Sequence, residues 1–256
     1  KFGFYTILLS ECKCEAYAYG HQYCDFSDGT LVCLTPGESI SMKENNKEFP
    51  SKGWILAFHP DLICGTPLGF NIHNYTFFSY CPEEALHLSL REKQIILEFL
   101  ERIRQELERC IDRHSKKIIS KYIELLLDYC TRFYERQFIT RSEVNKKVFR
   151  EFNHLLDNHF NVKVSLSTDV LSDEYCANLL HLSPAYFNDL LKYEIGKEFK
   201  EYIQFKRFEI AKGWLVNTDK TLGQIAQELG FSNSQYFSRL FKKITGCSPN
   251  EFRMPN

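Results

Sequence analysis

Two hydrophobic patterns divide the chain: short apolar runs parted by turn residues up to about residue 73, and apolar positions recurring every three or four residues from about residue 83 onward. The early runs are Phe4 to Leu9, Cys14 to Tyr19, Thr30 to Leu34, Glu38 to Met42 and Gly53 to Phe58. They alternate with turn signals such as Ser27-Asp28-Gly29, Thr35-Pro36-Gly37 and Gly65-Thr66-Pro67. Short strands at this spacing predict an antiparallel β-sandwich or small barrel over residues 1–82. A barrel of about eight strands can enclose one small ligand, so a sensory pocket fits this layout. Tyr5, Tyr17, Tyr19, Tyr23, Phe26, Trp54 and Phe58 either line such a pocket or fill an ordinary core.

Residues 83–136 read as a helical hairpin. Ile95, Ile96, Phe99, Ile103, Leu107 and Ile111 mark one face of its first helix. The second helix, with Ser115 as its expected cap, shows Ile118, Ile119, Tyr122, Leu125, Leu126, Tyr129 and Phe133. That set is wider than a single contact needs. It either serves both the β domain and a second copy of the chain, or is one stripe buried within the monomer. The polar segment 137–143 reads as a linker, and Asn145 to Phe160 as an amphipathic helix with Val148, Phe149, Phe152, Leu155 and Leu156 inward. That helix opens a third region, 144–256.

Between Thr221 and Phe252 helical spacing appears twice, at Leu222, Ile225, Ala226 and Leu229, then at Phe237, Leu240, Phe241 and Ile244. Gly230 between them suits a left-handed helix end, Asn233 suits an N-cap, and Gly246 with Pro249 closes the second helix. The opposite face of that helix presents Ser234, Gln235, Ser238, Arg239 and Lys242, groups able to donate to base edges and phosphates. A packed hairpin with a solvated polar face is the plainer reading, but a repeat weakens it. Shifted by 50 residues, Leu179 falls on Leu229, Tyr186-Phe187 on Tyr236-Phe237, Leu190 on Leu240, Lys192 on Lys242 and Gly196 on Gly246. Ser183-Pro184 supplies the matching N-cap and first-turn proline. Residues 198–216 between the two units contain no proline and should form one helix of roughly 27 Å, a spacer able to set two recognition helices about one duplex turn apart.

Composition narrows the class. The net charge is −1, yet from residue 200 onward 9 Lys and Arg stand against 5 Asp and Glu, so the basic excess lies with the helix pairs. No apolar run approaches the roughly 20 residues of a membrane span, and the start lacks a signal peptide, so a cytoplasmic location without membrane contact is expected. The chain opens at Lys1 rather than Met, inside an apparent strand, and is expected to lack an N-terminal piece. Its 10 cysteines read as reduced thiols. Their spacing suggests no zinc site, and His21, His59 and His73 show no metal-ligand pairing, so neither a metal, a cofactor nor an enzymatic role is expected.

Ile225-Ala226, Leu229-Gly230-Phe231, Tyr236-Phe237-Ser238-Arg239, Phe241-Lys242-Lys243, Gly246, Pro249 and Phe252-Arg253 together resemble the DNA-binding domain of AraC/XylS-type transcription regulators. The resemblance runs from about Val144 to Met254. The first part is similar to that family's usual partner in layout only: a cupin-like β-barrel and a helical dimerisation hairpin. The resemblance implies a two-domain α and β protein ending in an all-α domain with two helix-turn-helix units joined by a long helix. It further implies a regulator that binds double-stranded DNA, usually an activator near RNA polymerase, often a homodimer under small-molecule control. By position, the second unit would face DNA with Ser234, Gln235, Ser238, Arg239, Lys242 and Lys243. The first would do so with Ala185, Asn188, Asp189 and Lys192. Asp189 departs from the family's basic or amide residue; it either accepts from a cytosine amino group or pairs with Lys192. The alternative function is a sugar-binding or catalytic β-barrel whose helix pairs mediate protein association.

Overall fold

The computed structural model describes residues 3–10, 29–38, 52–162 and 171–254. They divide into two compact units, one of Lys1–Asn145 with Leu182–Phe187, the other of Lys146–His181 with Asn188–Asn256. No helix among the described residues is long and apolar enough to cross a membrane.

The first unit is built on an antiparallel sheet of β1 (Tyr5–Ser10), β2 (Gly29–Leu34), β3 (Gly53–Phe58) and β4 (Leu86–Leu88), in the order β3-β1-β2-β4. Leu8 of β1 stands opposite Val32 of β2 and Ile55 of β3. Alternation puts Ile7, Leu9, Leu31 and Cys33 in the core. Among the described residues this sheet is open, with edges at β3 and β4, so the expected closed barrel is not formed by them. The expected strand at 14–19, all but Glu38 of the one at 38–42, the Cys12/Cys14 pair, and Tyr17, Tyr19, His21, Tyr23 and Phe26 lie outside the described residues. Tyr5 and Phe58, considered for a pocket, stack on each other with ring centroids 5.3 Å apart, and Phe58 is buried.

Two short helices, α1 (Pro60–Ile63) and α2 (Pro67–Asn71), follow β3, and the chain returns through 3-10 turns to β4. Helix α3 (Leu90–Glu108) starts on a reciprocal cap: the Ser89 hydroxyl accepts from the Glu92 N–H, and the Glu92 carboxylate accepts from the Ser89 N–H. Helix α4 (Ser115–Thr140) is capped by Asp112, not Ser115; its carboxylate accepts from the N–H groups of His114 at 2.7 Å and Ser115 at 3.0 Å. The inner face of α4 buries Ile119, Ile123, Leu126, Leu127, Cys130 and Phe133, while Ile118 and Leu125 stay exposed.

The segment expected as a linker, 137–143, is helical almost throughout, since α4 runs to Thr140 and α5 (Ser142–Val162) begins two residues later. Gln137, within that segment, is buried. Its amide accepts from the His87 N–H at 2.8 Å and donates to the Ala85 carbonyl at 3.1 Å, serving β4 as a neighbouring strand would. A polar residue is thereby buried with its partners supplied.

The second unit is helical: α5 is followed by α6 (Asp173–Leu179), α7 (Pro184–Ile195), α8 (Phe199–Asn217), α9 (Leu222–Glu228), α10 (Ser234–Thr245) and α11 (Pro249–Arg253). Phe152 of α5 packs between Phe199 and Tyr202 of α8, and the Tyr202 hydroxyl donates to Asn153 at 2.6 Å. Midway along α8, Phe208 joins Phe231, Phe237 and Phe241 in one aromatic cluster, with ring centroids 5.5 to 6.1 Å from it. As expected, α8 is a single helix between the two helix pairs, about 28 Å long.

Candidate nucleic-acid interface

In the second unit each local signal finds a partner. Thr221 and Gln224 form a reciprocal cap on α9. Gly230 takes the left-handed conformation, φ 74°, and the Phe231 N–H turns back to the Ala226 carbonyl at 2.8 Å. Ala226 is buried where α9 meets α10. Asn233 caps α10 through its side-chain oxygen, which accepts from the Tyr236 N–H at 2.7 Å, and Gly246 ends the helix with φ 84°.

The polar side of α10 then takes its positions from helical spacing. Gln235, Arg239, Lys242 and Lys243 are exposed; Ser234 and Ser238 are half-buried. The Ser238 hydroxyl donates to the Ser234 carbonyl at 2.7 Å, which commits its hydrogen within the helix and leaves only lone pairs to meet a base. The Arg239 guanidinium lies 5.9 Å from the centre of the Tyr236 ring. This face combines a forked donor, an amide and two ammonium groups along one helix, a set suited to reading guanine or adenine edges while gripping phosphates.

A support not foreseen from spacing fixes the frame of this helix pair. The Arg253 guanidinium donates to the Leu215 carbonyl at 3.3 Å and to the Lys220 carbonyl, joining α11 to the end of α8. The Lys220 ammonium sits 4.0 Å above the Trp214 ring and pairs with Glu228 of α9. Basic and aromatic residues near a C-terminus are the available signal, but nothing local says which carbonyls they meet.

The first unit departs from the second in its turn. Helix α6 begins after its Ser172 cap, and α9 after Thr221, a spacing of 49 residues; α7 and α10 begin 50 apart. One residue is therefore missing from the first turn. The superposition of Leu179 on Leu229 fails for this reason: Leu229 is 1% exposed and Leu179 46%. Cys176 and Ala177 occupy the buried places of Ile225 and Ala226. The left-handed residue is His181, φ 56°, where the second unit has Gly230.

Of the four residues expected to face DNA from α7, only Lys192 is exposed; Ala185, Asn188 and Asp189 are half-buried. Asn188 donates from Nδ2 to Asp173 Oδ2 of α6 at 2.9 Å, an arrangement that engages part of the amide an adenine contact would use. No group of three or more His, Cys, Asp or Glu able to hold a metal occurs among the described residues.

Residues 176–254 match a family described as a helix-turn-helix domain. Over 225 residues the chain is 24% identical to the HTH-type transcriptional regulator YijO of Escherichia coli (strain K12), covering 88% of this chain and 76% of that protein. It is 33% identical over 111 residues to the HTH-type transcriptional regulator YtdP of Bacillus subtilis (strain 168), 43% of this chain and 14% of that protein. To the arabinose operon regulatory protein of Salmonella typhimurium (strain LT2) it is 32% identical over 101 residues, 40% of this chain and 32% of that protein. The chain thus spans only a small part of YtdP and about a third of the arabinose regulator. Two capped helix pairs on one long helix, within the region that these matches share, make the C-terminal part an AraC/XylS-type helix-turn-helix domain.

Proposed function

We propose that this chain is a sequence-specific activator that reads two successive major grooves with α7 and α10. The observation that carries the reading is the pairing of two capped helix pairs at the ends of the single helix α8, whose length suits a step of roughly one duplex turn. On this reading Arg239 and Gln235 specify bases, Ser234 and Ser238 accept from them, and Lys242 and Lys243 hold phosphates. Ala185, Asn188, Asp189 and Lys192 meet the neighbouring groove more weakly. The exposed Ile118 and Leu125 on α4 suit a second copy of the chain, which would place two such domains on one operator near RNA polymerase. The N-terminal region, 1–82, would complete a cupin-like barrel around a small effector, with 83–136 as the dimerisation hairpin. The regulator acts in the cytoplasm.

Selection of bound DNA from a random pool by the full chain, with and without candidate metabolites, tests this reading. Enrichment of a defined motif supports sequence-specific reading, and a second half-site about 10 base pairs from the first, in the wild type or in a variant that frees α7, supports the two-groove part. Equal affinity for all sequences sinks it, and an unchanged motif and affinity under every metabolite removes the effector.

A further inference from the structure

The first turns of the two recognition-type helices sit in opposite surroundings. At α10 the cap Asn233 is exposed and Tyr236 is 41% exposed. At α7 the cap Ser183 is buried and Tyr186 is 6% exposed, and this turn, Leu182–Phe187, belongs to the N-terminal compact unit. Glu84, at the end of a 3-10 turn and 5% exposed, seats its carboxylate on Ser183. Its Oε1 accepts from the Ser183 N–H at 2.6 Å, and its Oε2 accepts from the Ser183 hydroxyl at 2.5 Å. The same Oε2 accepts from the Cys81 N–H at 2.8 Å, which pins the carboxylate to its own turn. The Ser183 hydroxyl in turn accepts from the Tyr186 N–H at 3.1 Å. Tyr186 is enclosed by Tyr80 and Phe138, with ring centroids 5.1 and 5.2 Å away.

A helix that reads a major groove brings its N-terminal turn to the DNA, and free N–H groups there receive phosphate. At α7 the N–H and hydroxyl of the cap are already taken by a carboxylate, and that carboxylate repels an approaching phosphate. The ring next in line is buried instead of exposed. We propose that Glu84 and Ser183 form an autoinhibitory latch: while they are joined, α7 is withheld and only α10 reads DNA, and their separation admits the second groove. This rests on the two-groove reading given above. The charge on Glu84 serves two ends, holding the cap when closed and disfavouring DNA at the same place.

The test uses the full chain and its Glu84→Ala variant, each taken through selection from a random duplex pool, then titrated on duplexes carrying one or both selected half-sites. The latch predicts that the wild type enriches one half-site and Glu84→Ala enriches two. Affinity for the two-half-site duplex should rise by about tenfold in the variant, the size of an ordinary coupling between sites, with no change on the single half-site. Should Glu84→Ala bind the single half-site worse than wild type, signalling damage to the fold, Ser183→Ala decides by the same criteria. Identical motifs, or weaker binding to two half-sites by the decisive variant, overturn the latch and leave the regulator reading standing. Loss of all sequence preference in the wild type overturns both.

Discussion

His181 in the first helix-turn-helix unit and Gly230 in the second share one backbone conformation, with φ of 56° and 74°. A side chain in that left-handed region costs about 1–2 kcal/mol, while glycine gives back about 0.5–1 kcal/mol through the freedom it loses on folding. His181→Gly should therefore stabilise the chain by no more than about 1 kcal/mol, and Gly230→Ala should destabilise it by about 1–2 kcal/mol. Urea unfolding of both variants measures this. A stabilised Gly230→Ala, or a His181→Gly that loses stability as Gly230→Ala does, would contradict the shared conformation.

On α10, Arg239 is exposed and keeps its fork free apart from the Tyr236 ring beside it. Arg239→Ala is expected to remove about 1–3 kcal/mol of discrimination at one base pair of the selected site. Lys243→Ala is expected to weaken all sequences alike and to flatten the log–log salt dependence by about one unit. Fluorescence anisotropy on single-base variants of the site, repeated at several salt concentrations, separates the two effects. Similar behaviour of both variants would refute the division of labour.

Asn188 is tied to Asp173, so its contribution should be smaller. Asn188→Ala is expected to change discrimination within the first half-site by less than about 1 kcal/mol, below the range of a good bidentate contact. Competition between single-base variants of that half-site gives the number, best measured in the Glu84→Ala background. A loss as large as that from Arg239→Ala would show that Asp173 orients the amide for reading rather than diverting it.

The parts of this structure that were legible in advance are those settled within a few residues: the Asn233 cap, the turns at Gly230 and Gly246, and the unbroken α8. Each follows from backbone chemistry at the position itself. What escaped depended on distant partners. Gln137 looks like linker chemistry until the His87 N–H, 50 residues earlier, and the Ala85 carbonyl are bonded to it. Glu84 looks like any surface carboxylate until Ser183, 99 residues on, is bonded to it. Residue identity alone cannot register a residue missing from a turn of the repeat; burial of Cys176 and Ala177 restores the register. Closure of the sheet calls on expected strands that fall partly outside the described residues.

Arg253 holds two carbonyls, Leu215 at the end of α8 and Lys220 just before α9. Its removal leaves both without that donor, an expected cost of about 1–3 kcal/mol. Arg253→Lys should rescue little, because a single ammonium lacks the planar fork that spans two acceptors. Thermal unfolding followed by DNA binding at the α10 half-site checks both points. Full rescue by lysine would mean that charge alone, rather than the fork, fixes α11.

Burial raises the Glu84 carboxyl above its ordinary range; its bonds from Ser183 and Cys81 pull the other way without cancelling the shift, and Glu83 adds to the rise. A carboxyl whose folded pKa lies above its unfolded value binds its proton more tightly when folded. Its favourable contribution is thus complete below the unfolded pKa and is lost as pH rises through the folded one. Over a window that opens at the ordinary carboxyl pKa of about 4 and extends upward, the wild type should lose melting temperature relative to Glu84→Gln, whose side chain cannot ionise. Parallel melting curves across the window, or a wild type that gains on the glutamine variant as pH rises, would show that the hydrogen bonds to the ionised carboxylate outweigh its burial.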